Sequence, residues 1–149
     1  MGLQKQVMEQ MKVAMKAKDK VALESLRAIK SALLLAQTDL SSAGDMSEEE
    51  EIVLVQKLVK QRKDSASIFI DQGRNDLAEP ELAQIAVIEQ FLPEQLGEDE
   101  IERVVEETIQ ATGASGMKDM GRVMGMVSKK LAGQADGKTI STIVKRKLM

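Results

Sequence analysis

Apolar residues recur at every third or fourth position along almost the whole of this chain. That spacing places side chains on one face of an α-helix. The clearest series is Ala22, Leu26, Ile29, Leu33, Ala36 and Leu40. No segment shows the alternation of apolar and polar residues that a half-buried strand requires, and only two prolines occur in 149 residues. The sequence therefore predicts an all-α protein.

About seven helices are predicted, and capping residues mark several of their ends. Asp19 is placed to cap the second helix, Ser47 and Glu50 form a capping box before the third, and Asp136 is placed to cap the last. Pro80 is expected near the first turn of a fourth helix, and residues 41–45 read as a turn-rich linker. The other predicted helices span residues 3–17, 98–112, 117–132 and 137–148.

These elements predict two domains. Residues 1–95 form an N-terminal multihelical domain, and residues 96–149 form a C-terminal three-helix bundle. Leu92 and Pro93 end the fourth helix, and shorter helices, each with one apolar face, follow. Three such faces can close one small core.

Two arginines are predicted to have structural roles. Arg62 occupies an apolar position of the third helix, and burying an unpaired guanidinium costs on the order of several kcal/mol. Asp76, Glu79 and Glu81 are its expected partners. Arg74 is expected to pair with Asp76 or Glu81.

Charge is partitioned along the C-terminal half. Residues 76–112 contain eleven acids and a single base, whereas residues 113–149 contain eight Lys/Arg and two acids. Such a segment can neutralise phosphates, and the alternative is a solvated helical surface that complements helix dipoles. The candidate nucleic-acid-binding residues are Lys118, Arg122, Lys129, Lys130, Lys138, Lys145 and Arg146.

Gly121 and Gly125 lie four residues apart within the predicted helix 117–132. Each glycine destabilises a helix by about 1 kcal/mol relative to alanine, so a compensating role is expected for both. Close approach of another helix is the favoured explanation, and close approach of a phosphate backbone is the other.

Composition excludes several functions. The chain has no Cys and no His, which removes thiol nucleophiles, imidazole bases and the usual zinc ligands. We therefore expect no catalytic residues, no metal and no cofactor. Two Phe are the only aromatic residues, which is unfavourable for stacking unpaired bases. No signal peptide or membrane-spanning run is recognisable, so a cytoplasmic protein without membrane contact is expected.

Three stretches of the chain resemble the stand-alone YqeY-like proteins of the GatB/YqeY family. They are MKAKDKVALESLRAIKS (15–31), KQRKDSASIFIDQGRNDLAEPELAQIAVIEQFLPEQL (60–96) and DMGRVMGMVSKKLAGQADGKTISTIVKRKL (119–148). The third also resembles the tail domain of the B subunit of the glutamine-dependent aspartyl/glutamyl-tRNA amidotransferase. The resemblance implies a helical module that faces tRNA, without the catalytic parts of that enzyme.

The leading hypothesis is a non-catalytic protein whose C-terminal bundle binds tRNA or another structured RNA by shape and phosphate contacts. One alternative is a protein-interaction module. Another is an accessory to a carbon-nitrogen ligase that uses glutamine as amido-N-donor, which rests on the resemblance alone.

Overall fold

The computed structural model describes residues 2–39 and 46–149, and every regular element in those ranges is helical. The predicted all-α class is confirmed. Leu40 and the predicted linker 41–45 lie outside the described residues. The helices are α1 (Leu3–Ala17), α2 (Lys20–Asp39), α3 (Glu48–Asp71), α4 (Asn75–Ile88), α5 (Glu98–Thr112), α6 (Met120–Lys130) and α7 (Gly137–Leu148), with 3₁₀ turns at Glu89–Phe91 and Met117–Asp119.

All three predicted caps are confirmed. The Ser47 hydroxyl accepts the Glu50 amide at 3.1 Å, and the Glu50 carboxylate accepts the Ser47 amide at 3.2 Å. The Asp19 carboxylate accepts the Ala22 amide at 3.1 Å. Asp136 accepts the amide of Thr139 at 2.6 Å at the start of α7. Each cap satisfies an amide that has no partner within its own helix.

Two predicted helix boundaries are wrong. The predicted helix 117–132 is a 3₁₀ turn followed by α6, which ends at Lys130 and is followed by a turn in which Gly133 has φ 79°. Pro80 lies inside α4, beyond its first turn, because the helix already begins at Asn75. The Arg74 carbonyl accepts the Ala78 amide at 3.2 Å and closes that earlier first turn.

The chain divides into two compact units, one ending at Leu92 and the other comprising Pro93–Met149. The first unit, formed by α1 to α4, buries an aliphatic core. Its fully buried large side chains are Val7, Leu26, Ile29, Val55 and Ile88.

The second unit is a three-helix bundle of α5, α6 and α7. Its fully buried large aliphatic side chains are Val105, Val123, Val127, Ile143 and Val144. The segment before α5 belongs to this unit through two hydrogen bonds. The Gln95 side-chain amide donates to the Gly133 carbonyl at 2.6 Å, and the Leu96 amide donates to the Gln134 carbonyl at 2.9 Å.

The predicted partners of Arg62 are wrong, whereas the Arg74 pair is confirmed. Arg62 is half-buried, and it donates to the side-chain oxygen of Gln84 at 2.9 Å and to the Leu58 carbonyl at 3.1 Å. Neutral acceptors replace the carboxylates because α4 brings Gln84 against α3, while Asp76 is bound to Arg74. Arg74 and Asp76 form two hydrogen bonds at 3.0 and 3.1 Å on the surface.

A double-mutant cycle tests the contact between Arg62 and Gln84. Arg62→Ala is expected to lower the free energy of unfolding by about 1–2 kcal/mol, because it leaves the half-buried Gln84 amide oxygen without its donor. The coupling energy with Gln84→Ala should be about 1 kcal/mol, measured by urea unfolding. Additive single and double variants would show that the hydrogen bond contributes nothing.

Candidate nucleic-acid interface

Each helix of the second unit buries one face and exposes the opposite one. On α6, Val123 and Val127 are buried, and Met120 and Met124 pack beside them. At about 100° per residue, the centre of the opposite face falls at Gly125, Arg122 and Lys129. All three are exposed. The outward face of α6 is therefore small and basic.

The two glycines of α6 do not serve helix packing. Both are exposed, and a Cβ built on Gly121 or Gly125 would meet no atom of another element within 4 Å in the part of the chain that the structure describes. The favoured explanation from the sequence is therefore wrong. The glycines instead leave the backbone of α6 open to solvent beside Arg122 and Lys129.

The outward face of α7 is also basic. Ile140, Ile143 and Val144 are buried in the bundle, so Lys138 and Lys145 fall on the opposite side of the helix. Both lysines are exposed. Lys118, in the 3₁₀ turn before α6, is exposed as well.

Four of the candidate residues have no ion pair with any residue in the described ranges, and we call them the unpaired quartet. They are Lys118, Lys129, Lys138 and Lys145. Their ammonium groups are available to an external anion, since no carboxylate in those ranges neutralises them.

The other three candidates have partners inside the unit. Arg122 lies 3.4 Å from the Asp119 carboxylate, and Arg146 lies 3.5 Å from Glu102. The Lys130 ammonium donates to the Thr108 hydroxyl at 3.2 Å, across from α6 to α5. Arg122 and Arg146 remain about half exposed and keep donors that face solvent.

Lys147, which the candidate set omitted, is the most strongly paired base of the unit. Its ammonium lies 2.6 Å from Glu102 and 2.7 Å from Glu106, both on α5. The hydrogen bond from Lys147 lowers the pKa of Glu102, and the two carboxylates raise the pKa of Lys147. No sequence signal could have found this cluster, because Lys147 and Glu106 are 41 residues apart.

The Glu102–Lys147 pair makes the stability of the unit pH-dependent. Because the folded pKa of Glu102 is lowered, its contribution is present above about pH 4.3, the ordinary value of a glutamate, and is lost as the pH falls through the lowered pKa. We expect Glu102→Gln to melt below the wild type at pH 7, and the gap to narrow towards about pH 3. Glu107→Gln, at an exposed position without an ion pair in the described ranges, is the matched control. An equal gap at both pH values would contradict the pairing.

Neither a metal site nor a membrane span is present in residues 2–39 and 46–149. No cluster of three or more acidic side chains there could hold a metal ion. No helix in the same ranges is both long enough and apolar enough to cross a bilayer.

The fold and the surface together define a class: an all-α protein of two helical units, the second with an acidic helix and two helices with basic outward faces. A family model described as Yqey-like protein matches residues 4–148. The chain therefore belongs to the YqeY-like family.

Two relatives are informative. The chain is 31% identical over 128 residues to altered inheritance of mitochondria protein 41, mitochondrial, of Pyrenophora tritici-repentis, covering 84% of this chain and 68% of that protein. It is 41% identical over 73 residues to the E subunit of the glutamyl-tRNA(Gln) amidotransferase of Thermococcus gammatolerans. That match covers 46% of this chain and only 12% of the archaeal protein.

Proposed function

We propose that the C-terminal unit binds structured RNA, tRNA in particular, through the outward faces of α6 and α7. The observation that carries the proposal is the unpaired quartet: four exposed ammonium groups without counter-ions in the described ranges, on the elements that follow the acidic helix α5. Lysines in that state gain favourable phosphate contacts and release counterions from the nucleic acid.

The glycines of α6 support the same surface. A phosphate backbone can approach the helix closely at Gly121 and Gly125, where no Cβ stands in the way. Arg122 and Lys129 lie on either side of Gly125 in the sequence and on the same outward face of α6. Shape and backbone contacts suffice for a folded RNA, so the scarcity of aromatic residues is no obstacle.

One relative supports tRNA as the ligand. The name of the Thermococcus protein contains glutamyl-tRNA(Gln), and the shared stretch covers only a small part of that protein. The role proposed for this chain is accordingly binding without catalysis, in the cytoplasm. The name of the Pyrenophora protein places that relative in mitochondria.

The experiment is fluorescence-anisotropy binding of total tRNA between about 50 and 200 mM salt. Four phosphate contacts by the unpaired quartet predict a slope of about −3.6 in log K against log salt, or roughly a 100-fold loss of affinity over that range. Binding that is absent at the lower salt concentration would overturn the proposal.

A second candidate function is a protein-interaction module. The observation that favours it is the outward face of α5, where Asp99, Glu100 and Glu107 are exposed without ion pairs in the described part of the chain. A basic partner would dock there, and an amidotransferase that uses glutamine as amido-N-donor could supply one. A stoichiometric protein complex formed without any salt-sensitive tRNA binding would select this alternative.

A further inference from the structure

A second group of cations lies at the turn between α1 and α2, in the first unit. Lys12, Lys16, Lys18 and Lys20 are all exposed, and none forms an ion pair with a residue in ranges 2–39 and 46–149. We call these four residues the lysine turn. They are far in sequence from the C-terminal surface, and the proposed function makes no use of them.

The helix geometry places these side chains towards solvent. Leu3, Val7 and Ala14 form the buried face of α1, and Lys12 and Lys16 project from the opposite side, about 6 Å apart along the helix axis. Lys18 and Lys20 follow directly in the turn.

The acids nearest in sequence do not neutralise the lysine turn. The Asp19 carboxylate accepts the Ala22 amide at the start of α2 and forms no ion pair with a described residue. Glu9 lies on the outward side of α1 but forms no ion pair with Lys12 or Lys16. The four lysines therefore face solvent without a counter-ion in the described ranges. Asp19 caps α2, and Glu9 forms no ion pair with them.

Helix dipoles account for the positions of only two of the four lysines. Cations near the end of α1, such as Lys16 and Lys18, complement the negative dipole end of that helix. Lys20, however, is the first residue of α2, where the dipole disfavours a cation, and Lys12 is within α1, away from its end. Internal electrostatics therefore do not account for the group as a whole.

Lys18 has a left-handed backbone conformation, which is energetically unfavourable for a residue other than glycine. Lys18 has φ 56° and ψ 36°, the left-handed conformation in which helices usually end on glycine because a Cβ is unfavourable there. It is the only residue other than glycine with positive φ in the described ranges. A lysine in this backbone conformation points to use of its side chain.

We propose that the lysine turn is a second phosphate-binding surface, one that binds the sugar-phosphate backbone of duplex RNA independently of the C-terminal unit. Residues 12–20 contain no aromatic side chain, so they supply no platform for stacking unpaired bases. Phosphate contact by ammonium groups is the chemistry that these residues supply.

The test is anisotropy binding of a fluorescein-labelled RNA duplex of about 20 base pairs to the full chain across a salt series. Lys16→Gln/Lys20→Gln is expected to reduce the magnitude of the salt slope by about 1.8, because two phosphate contacts are lost. Lys57→Gln/Lys60→Gln removes the same charge from α3 and should leave the slope unchanged. Equal slopes for the wild type and the Lys16/Lys20 variant would overturn the proposal, and would favour an acidic protein partner that also uses the exposed Val13 and Met15.

A second background separates this proposal from the function proposed for the C-terminal unit. With the unpaired quartet changed to glutamine, duplex binding at about 25 mM salt should persist and should then be removed by Lys16→Gln/Lys20→Gln. Loss of all binding in the quartet variant alone would overturn the independence of the lysine turn, while leaving the C-terminal proposal intact.

Lys18→Gly separates a binding role of Lys18 from a structural one, because it should lower affinity for RNA without lowering stability. Glycine relieves the left-handed backbone, so the melting temperature should hold or rise by up to about 2 °C. Affinity for the duplex should nevertheless fall about 8-fold at roughly 0.1 M salt, the effect of one phosphate contact. Unchanged affinity in this variant would exclude Lys18 from the surface.

Discussion

Changing all four lysines of the unpaired quartet to glutamate is expected to weaken tRNA binding by about 600-fold at roughly 0.15 M salt. The slope of about 0.9 per phosphate corresponds to roughly a 5-fold contribution from each contact at that salt concentration, and the four contributions multiply. Fold should be retained, because all four side chains are exposed and none has an ion pair within the described ranges. Fluorescence anisotropy measures the affinity, and circular dichroism checks helix content.

A matched pair of double variants controls for net charge. Lys129→Glu/Lys138→Glu should cost about 25-fold in affinity, whereas Lys57→Glu/Lys60→Glu, on α3, should cost less than about 3-fold. Equal losses in the two variants would mean that overall charge, rather than the surface of α6 and α7, governs binding.

Ile143→Ala is expected to lower the free energy of unfolding of the C-terminal unit by about 3 kcal/mol. Ile143 is fully buried where α7 meets the core of the bundle, and truncation removes three methyl or methylene groups and leaves a cavity. A unit of this size has a total stability of only about 3–9 kcal/mol, so a large share of it is lost. Urea unfolding measures the loss of stability, and hydrogen exchange of the α7 amides assigns it to the C-terminal unit.

Thr142→Ala, next to Ile143 but exposed, provides the comparison and should change stability by less than about 0.5 kcal/mol. tRNA binding by the Ile143 variant should fall only as far as its folded fraction falls. A loss of stability below about 1 kcal/mol would contradict the packing described for α7.

The sequence predicted those features that depend on neighbouring residues. Helix periodicity and the caps at Ser47 and Asp136 are local, since each involves a contact across three residues. The bounds of α5 and α7 followed from the same signals, and the structure agrees with them. The predicted helix 117–132 was too long at both ends, because residues 117–119 form a 3₁₀ turn after Gly116 and α6 ends at Lys130, before Gly133. Both glycines have positive φ, which composition does not reveal.

Features that depend on tertiary contact could not be read from the chain. Arg62 selects Gln84, and the Leu3 amide at the start of α1 donates to Glu51 on α3. These partners are 22 and 48 residues apart. From the sequence alone, any carboxylate or amide at a similar separation along the chain is an equally good candidate for the partner.

The candidate surface was also predicted only in part, because its charges are visible in the sequence and their ion-pair partners are not. Charge partition drew attention to residues 113–149 and to seven of their eight bases, but it could not separate bases with internal partners from those without. Packing divides them into the unpaired quartet and bases held by internal partners, of which Lys147, between Glu102 and Glu106, is the clearest. The sharper site therefore required the arrangement of α5 against α7.

The central claim is that RNA contacts the outward faces of α6 and α7 and leaves the acidic face of α5 free. Amide chemical-shift mapping of the ¹⁵N-labelled full chain with unlabelled tRNA tests it most directly. We expect the amides of Gly121, Gly125 and Lys138 to shift or broaden, while those of Asp99 and Glu107 stay in place. Perturbations confined to α5, or no perturbation in the C-terminal unit at saturating tRNA, would contradict the claim.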